Sequence, residues 1–132
     1  VHSRTDLMIQ VPDKDLLFLG DNANNKRIVR MDDGSFSGTI AALVAARAEI
    51  PAKVLIPGHG RTGGWEIVDA NHAYFSVVSE TVDALYDEGL SDFEMKPKVA
   101  EKLSAFNDWA GLEDELGKHV SLAYLEVEAA AF

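Results

Sequence analysis

The chain has 132 residues, 47% hydrophobic and 26% charged, with 12 Lys and Arg against 22 Asp and Glu and a formal net charge of −10. That length suits one globular domain, and the acidic balance argues against a nucleic-acid backbone or an anionic membrane as partner, because both repel it. Cysteine is absent, which excludes disulfides and thiolate metal ligands, and no apolar run reaches the length that spans a bilayer.

The first element is "DLMIQV" at 6–11. Leu7, Ile9 and Val11 alternate with Met8 and Gln10, the period of a strand. "PDKD" at 12–15 has turn chemistry, and "LLFLGD" at 16–21 follows as an apolar strand. The pair predicts a β-hairpin. Residues 22–37 are polar and form a loop. "SGTIAALVAARAEI" at 37–50 predicts a helix, with Ser37 as N-cap, a stripe of Ile40, Leu43 and Val44, and the Arg47 stem at its edge. Pro51 stops it.

"KVLI" at 53–56 is a short buried strand, and "RTGG" at 61–64 is loop. Helical spacing of Ile67, Tyr74, Val78, Val82 and Leu85 predicts a long helix from about Trp65 to Glu88, closed by Gly89. "SDFE" at 91–94 has the form of a capping box and opens a helical stretch toward Phe106. The segment 112–132 is the last helix, with early acids that suit the positive helix start and a stripe of Leu116, Val120, Ala123 and Val127. The order β-β-α-β-α-α-α defines an α/β or α+β chain with about three strands.

A turn around residues 13–14 makes hairpin partners sum to roughly 27, which places Asp21 near Asp6, with His2 at the same end. A helix links strand 16–20 to strand 53–56, as a parallel crossover requires. The C-terminal ends of these strands then lie side by side, with Asp21 and His59 just beyond them, at the rim where open α/β sheets bind ligands. In "VLIPGHG" (54–60), Gly58 and Gly60 permit a tight turn that aims His59 toward Asp21 and His2. Two imidazoles and a carboxylate suit zinc, and other transition metals less selectively. His72 and His119 fall inside helices with no partner motif and read as structural or surface residues. Lys26, Arg27 and Arg30 read as a solvated basic loop tip, with an anionic substrate group as the functional alternative. Trp65 and Tyr74 read as core residues, with pocket lining as the functional alternative.

"HSRTDLMIQVPDKDLLFLGD" and "VLIPGHG" together resemble the metallo-β-lactamase superfamily, in the segment that runs from a metal-binding histidine through a hairpin to a Gly-Asp and on to the last histidine motif. The resemblance implies that His2 completes a first zinc site, that Asp21 is the catalytic carboxylate bridging two ions, and that His59 ligates the second. An Asp at position 21 is similar to the glyoxalase-type and nuclease-type hydrolases. The implied chemistry is binuclear-metal hydrolysis of an ester, thioester, amide or phosphodiester in a small-molecule substrate.

The family's His-x-His-x-Asp-His run is absent from the four histidines here. The expectation is therefore a single domain over 1–132 that forms the C-terminal half of a longer hydrolase. Residues 1–90 would be its core and 91–132 a C-terminal helical extension. Two zinc ions are expected in the intact parent, and weak or no binding in this portion. The implied fold is half of an αββα four-layer sandwich: a sheet of about three strands with helices on one face. The uncovered face predicts a homodimer. The alternative is a stand-alone half-domain that dimerises or binds a partner without catalysis.

Overall fold

The computed structural model describes residues 2–132. Three strands, β1 (Ile9–Val11), β2 (Leu16–Gly20) and β3 (Val54–Pro57), form one mixed sheet in the order β1-β2-β3. Four helices accompany it: α1 (Phe36–Glu49), α2 (Glu66–Asp87), α3 (Asp92–Lys102) and α4 (Leu112–Ala130). The fold is mixed α/β, in the α+β sense expected from the element order.

Pro12 opens a single 3-10 turn over Pro12–Lys14, and Asp15 closes it in the left-handed region at φ 53°. The hairpin that results pairs Ile9 with Phe18, Gln10 with Leu17 and Val11 with Leu16. Each pair sums to 27, the register the turn position predicted. The Asp15 carbonyl then accepts from the amides of Lys53 and Val54, at 2.9 and 3.0 Å. This sets the start of β3 beside β2, and the two run parallel through Leu16–Val54, Leu17–Leu55 and Phe18–Ile56.

Period-two alternation divides the sheet into unlike faces. Leu17, Leu19 and Leu55 are fully buried against the helices. Their neighbours on the opposite face are not covered: Ile9 is 59% exposed, Phe18 40% and Val54 37%. In register these side chains form rows across the strands, Ile9–Phe18–Ile56 and Val11–Leu16–Val54.

The helices pack around Tyr74. Its ring meets Phe75, Phe106 and His119 edge-on and stacks on Trp109 at 6.4 Å. Tyr74 comes from α2, His119 from α4, and Phe106 and Trp109 from the connection between α3 and α4, so residues beyond position 90 share the same core as the rest.

Two helix details depart from the sequence reading. α1 is capped by Ser35, whose hydroxyl accepts from the Gly38 amide at 3.0 Å, two residues ahead of the expected Ser37. The cause is distant in sequence. The Glu126 carboxylate of α4 accepts from the Ser35 hydroxyl at 2.6 Å and from the amides of Phe36 and Ser37 at 3.1 and 3.3 Å, supplying the acceptors that a helix start lacks. Phe36, Thr39, Leu43 and Ala46 face inward, and Val44, about 100° round the helix from Leu43, is 52% exposed instead of lining the core. The stretch toward Phe106 also divides: α3 ends at Lys102 and a 3-10 turn covers Ser104–Phe106. The Ser91–Glu94 capping box is formed as expected.

Candidate functional site

Asp21 follows the last residue of β2, and His59 follows β3 by two residues. The parallel pairing brings these ends together: the Gly58 amide donates to the Gly20 carbonyl at 2.8 Å. Both glycines around His59 are required by close approach. A Cβ at Gly58 would collide with the Asp21 carboxylate and lie 2.7 Å from the Gly20 carbonyl oxygen. Gly60 has φ +91°, and a Cβ there would strike the Asn25 backbone. The loop thus lies directly on the residues after β2, with the imidazole held against Asp21. His59 Nε2 is 3.4 Å from Asp21 Oδ1.

His2 reaches the same corner from ahead of β1. Asp6 accepts from the Ser3 amide at 2.7 Å and from the Ser3 hydroxyl at 3.0 Å, folding this segment back on itself. His2 Nδ1 donates to the Arg30 carbonyl. In a neutral ring that bond puts the proton on Nδ1 and leaves the Nε2 lone pair free. His2 Nε2 is 3.8 Å from Asp21 Oδ2. The two carboxylate oxygens of Asp21 therefore face two different imidazoles.

The three sequence candidates, His2, Asp21 and His59, line one cleft of about 350 Å³. The donor types fit a borderline metal such as zinc, and Asp21 Oδ1 is buried without a hydrogen-bond partner. The number of donors is short. Among the described residues no group of three His, Cys, Asp or Glu is placed to hold one ion. What this corner offers is one imidazole nitrogen and one carboxylate oxygen on either side of Asp21.

The rest of the cleft is lined by residues that carry no sequence motif. Asn24, buried, accepts from the His59 amide at 3.0 Å. The start of α4 contributes Gly111, Asp114 and Glu115. Arg27 pairs as a parallel bridge with Ala110, with Ile28 donating to Ala110 at 2.9 Å and Ala110 to the Lys26 carbonyl at 3.1 Å. This staples α4 to the loop after Asp21. Glu115 Oε2 is buried with no hydrogen-bond partner, and its nearest cation is Lys118 Nζ at 3.9 Å. Arg27 and Arg30 of the basic loop also line the cleft, whereas Lys26 does not. Arg30 is paired with Asp32 at 3.2 Å. No periodic signal in the sequence marked Asn24 or Glu115. The polar run "DNANN" (21–25), directly after a strand, was the available clue to the asparagine.

The remaining histidines lie elsewhere in the fold. His119 is fully buried, bonded through Nδ1 to the Tyr74 hydroxyl at 2.8 Å and set among Phe36 and Phe75. Burial pushes its pKa down to about 4 against the opposing influence of the Val29 carbonyl, so the ring is neutral at pH 7. The Tyr74 hydroxyl is pushed up, first by burial and then by the Glu115 charge. His72 is half-buried on α2. Trp65 donates from its indole to the Ala52 carbonyl at 2.8 Å, and Arg47 lies over its ring at 5.2 Å, so neither it nor Tyr74 enters the cleft.

No protein-family model matches the sequence, and no curated protein matches it. Among solved structures, the fold is similar to that of a metallo-β-lactamase. That protein is VMB-1, in a crystal structure at pH 5.5, with a TM-score of 0.51 and 24% sequence identity over 55% of this chain. The match spans 35% of the VMB-1 chain, so the likeness concerns the fold of roughly a third of that protein.

Proposed function

We propose that this chain is the C-terminal portion of a binuclear-metal-dependent hydrolase, with His2, Asp21 and His59 as its share of the metal ligands. One observation carries the reading: Asp21 presents a separate oxygen to each of two imidazoles that arrive from different strand ends. His2 and Asp21 would hold one ion and Asp21 and His59 a second, so that this chain would give each one nitrogen and one oxygen. The shortfall from the four donors of a closed zinc site leaves the remaining ligands to other residues, in keeping with a fold likeness that covers a third of a metallo-β-lactamase. When bound, the ions supply Lewis acidity toward a scissile carbonyl or phosphoryl oxygen. The protein's own part is to hold His2 in one tautomer through the Arg30 carbonyl and to fix His59 between its glycines.

Zinc titration followed by NMR of the histidine rings tests this. The His2 and His59 rings should shift together, with weak affinity, and Asp21→Asn should abolish both responses. Rings that ignore zinc, or that respond equally in Asp21→Asn, would defeat the assignment.

A second reading is favoured by the open sheet face. Ile9, Phe18 and Val54 leave apolar side chains exposed on one sheet face, and a second copy of the chain stacking its own sheet there would cover them without catalysis. In light scattering this reading requires a dimer that Phe18→Lys converts to monomer. A clean monomer at high concentration rules the homodimer out.

A further inference from the structure

The segment that carries His59 is intrinsically loose. Glycines flank it on both sides, and glycine backbone has more freedom to lose than any other. Yet both backbone groups of His59 are fixed, and both from the run that follows Asp21. The His59 amide donates to Asn24 Oδ1 at 3.0 Å, and the His59 carbonyl accepts from the Asn25 amide at 2.9 Å. Asn24 is held in turn. Asn71, on the buried side of α2, donates to the Asn24 carbonyl at 2.8 Å and to the Ile67 carbonyl at 2.7 Å, and accepts from the Asn24 amide at 3.5 Å. Both side chains are almost wholly enclosed, at 2% and 1% exposure. Buried amides persist only where they are paired, and here the pairing runs unbroken from a rigid helix to the histidine.

We propose that Asn24 is a positioning residue for His59, anchored by Asn71, and that this clasp sets the direction of the imidazole toward Asp21. The inference rests on the reading of His59 as a metal ligand but concerns residues outside the proposed ligand set. Groups that orient a ligand histidine change metal affinity by about 10- to 100-fold when removed.

The test compares wild type, Asn24→Ala and Asn24→Asp, the last of which keeps an acceptor oxygen for the His59 amide. Two quantities are measured: hydrogen exchange of the His59 amide and zinc affinity, with the Leu17 amide in β2 reporting whether the fold is intact. Asn24→Ala should speed exchange at His59 and weaken zinc by about 10-fold or more, with Leu17 unchanged, and Asn24→Asp should restore both. Unaltered exchange and affinity in folded Asn24→Ala, or an Asp variant as impaired as Ala, overturns the proposal. If wild type binds no zinc, the metal reading fails by itself and the His59 exchange rate alone decides the clasp. Should Asn24→Ala not fold, Asn71→Asp removes the donors to Asn24 and must speed His59 exchange for the proposal to stand.

Discussion

His59 and His119 are the same residue put to opposite uses, and the regions around them differ accordingly. His119 sits in the helical core, where aromatic rings surround it and burial keeps it neutral. His59 sits on the rim, with its side chain about half exposed and its backbone secured by asparagines. The core derives its order from apolar area removed from water. The rim derives its order from directed hydrogen bonds and close glycine contacts, with little apolar burial. A substitution in the core should therefore register as lost stability, and one on the rim as lost geometry.

Emptying the core tests that contrast most severely. Phe75→Ala removes a fully buried ring and should cost about 3–5 kcal/mol in chemical denaturation. A smaller loss would mean the helical layer is looser than its ring contacts indicate. Next is pH. His119 has a folded pKa of about 4 against an ordinary 6.5. As pH falls below the ordinary value, the unfolded chain takes up the proton first, so stability is full above about pH 6.5 and declines toward pH 4. The total is on the order of 3 kcal/mol. His119→Leu should flatten that part of the stability profile; an unchanged slope would remove His119 as its cause.

Two glycines with similar backbone angles refine the comparison. Gly60 and Gly89 have φ of +91° and +85°, but only Gly60 has an obstructed Cβ position. Gly89→Ala should cost about 1 kcal/mol for the backbone alone, and Gly60→Ala roughly twice that. Equal losses would show that the rim loop shifts freely. Smallest is Asp21→Asn, which should change folding stability by less than about 1 kcal/mol while removing the response of both rim histidines to zinc. A large stability loss would mean that Asp21 is structural first.

The parts of the fold readable from sequence were those set by short-range rules. Pro12 and Asp15 fixed a turn, the turn fixed the register, and the register carried Asp21 to the end of a strand where a parallel neighbour delivers His59. The convergence of His2, Asp21 and His59 followed from that geometry. The features that escaped depend on pairs distant in the chain. Glu126 caps a helix that starts ninety residues earlier, Asn71 holds Asn24 across 47 positions, and Arg27 bridges to Ala110. None of these leaves a periodic trace, because a single long-range hydrogen bond constrains one residue and not a pattern. Val44 lies one residue, about 100°, past Leu43; the inward face is set by Phe36, Thr39, Leu43 and Ala46, so Val44 turns to solvent.

The bridge between Arg27 and Ala110 bears on how this protein can be divided. Shortening the chain at position 90 would strip Phe106, Trp109 and His119 from around Tyr74 and at once take away the cleft wall formed by Asp114 and Glu115. The last forty-odd residues act as a keystone: an engineer seeking a minimal version would lose the recess along with the ballast, whereas an insertion at the exposed Gly89 turn, where a side chain meets nothing, leaves both intact.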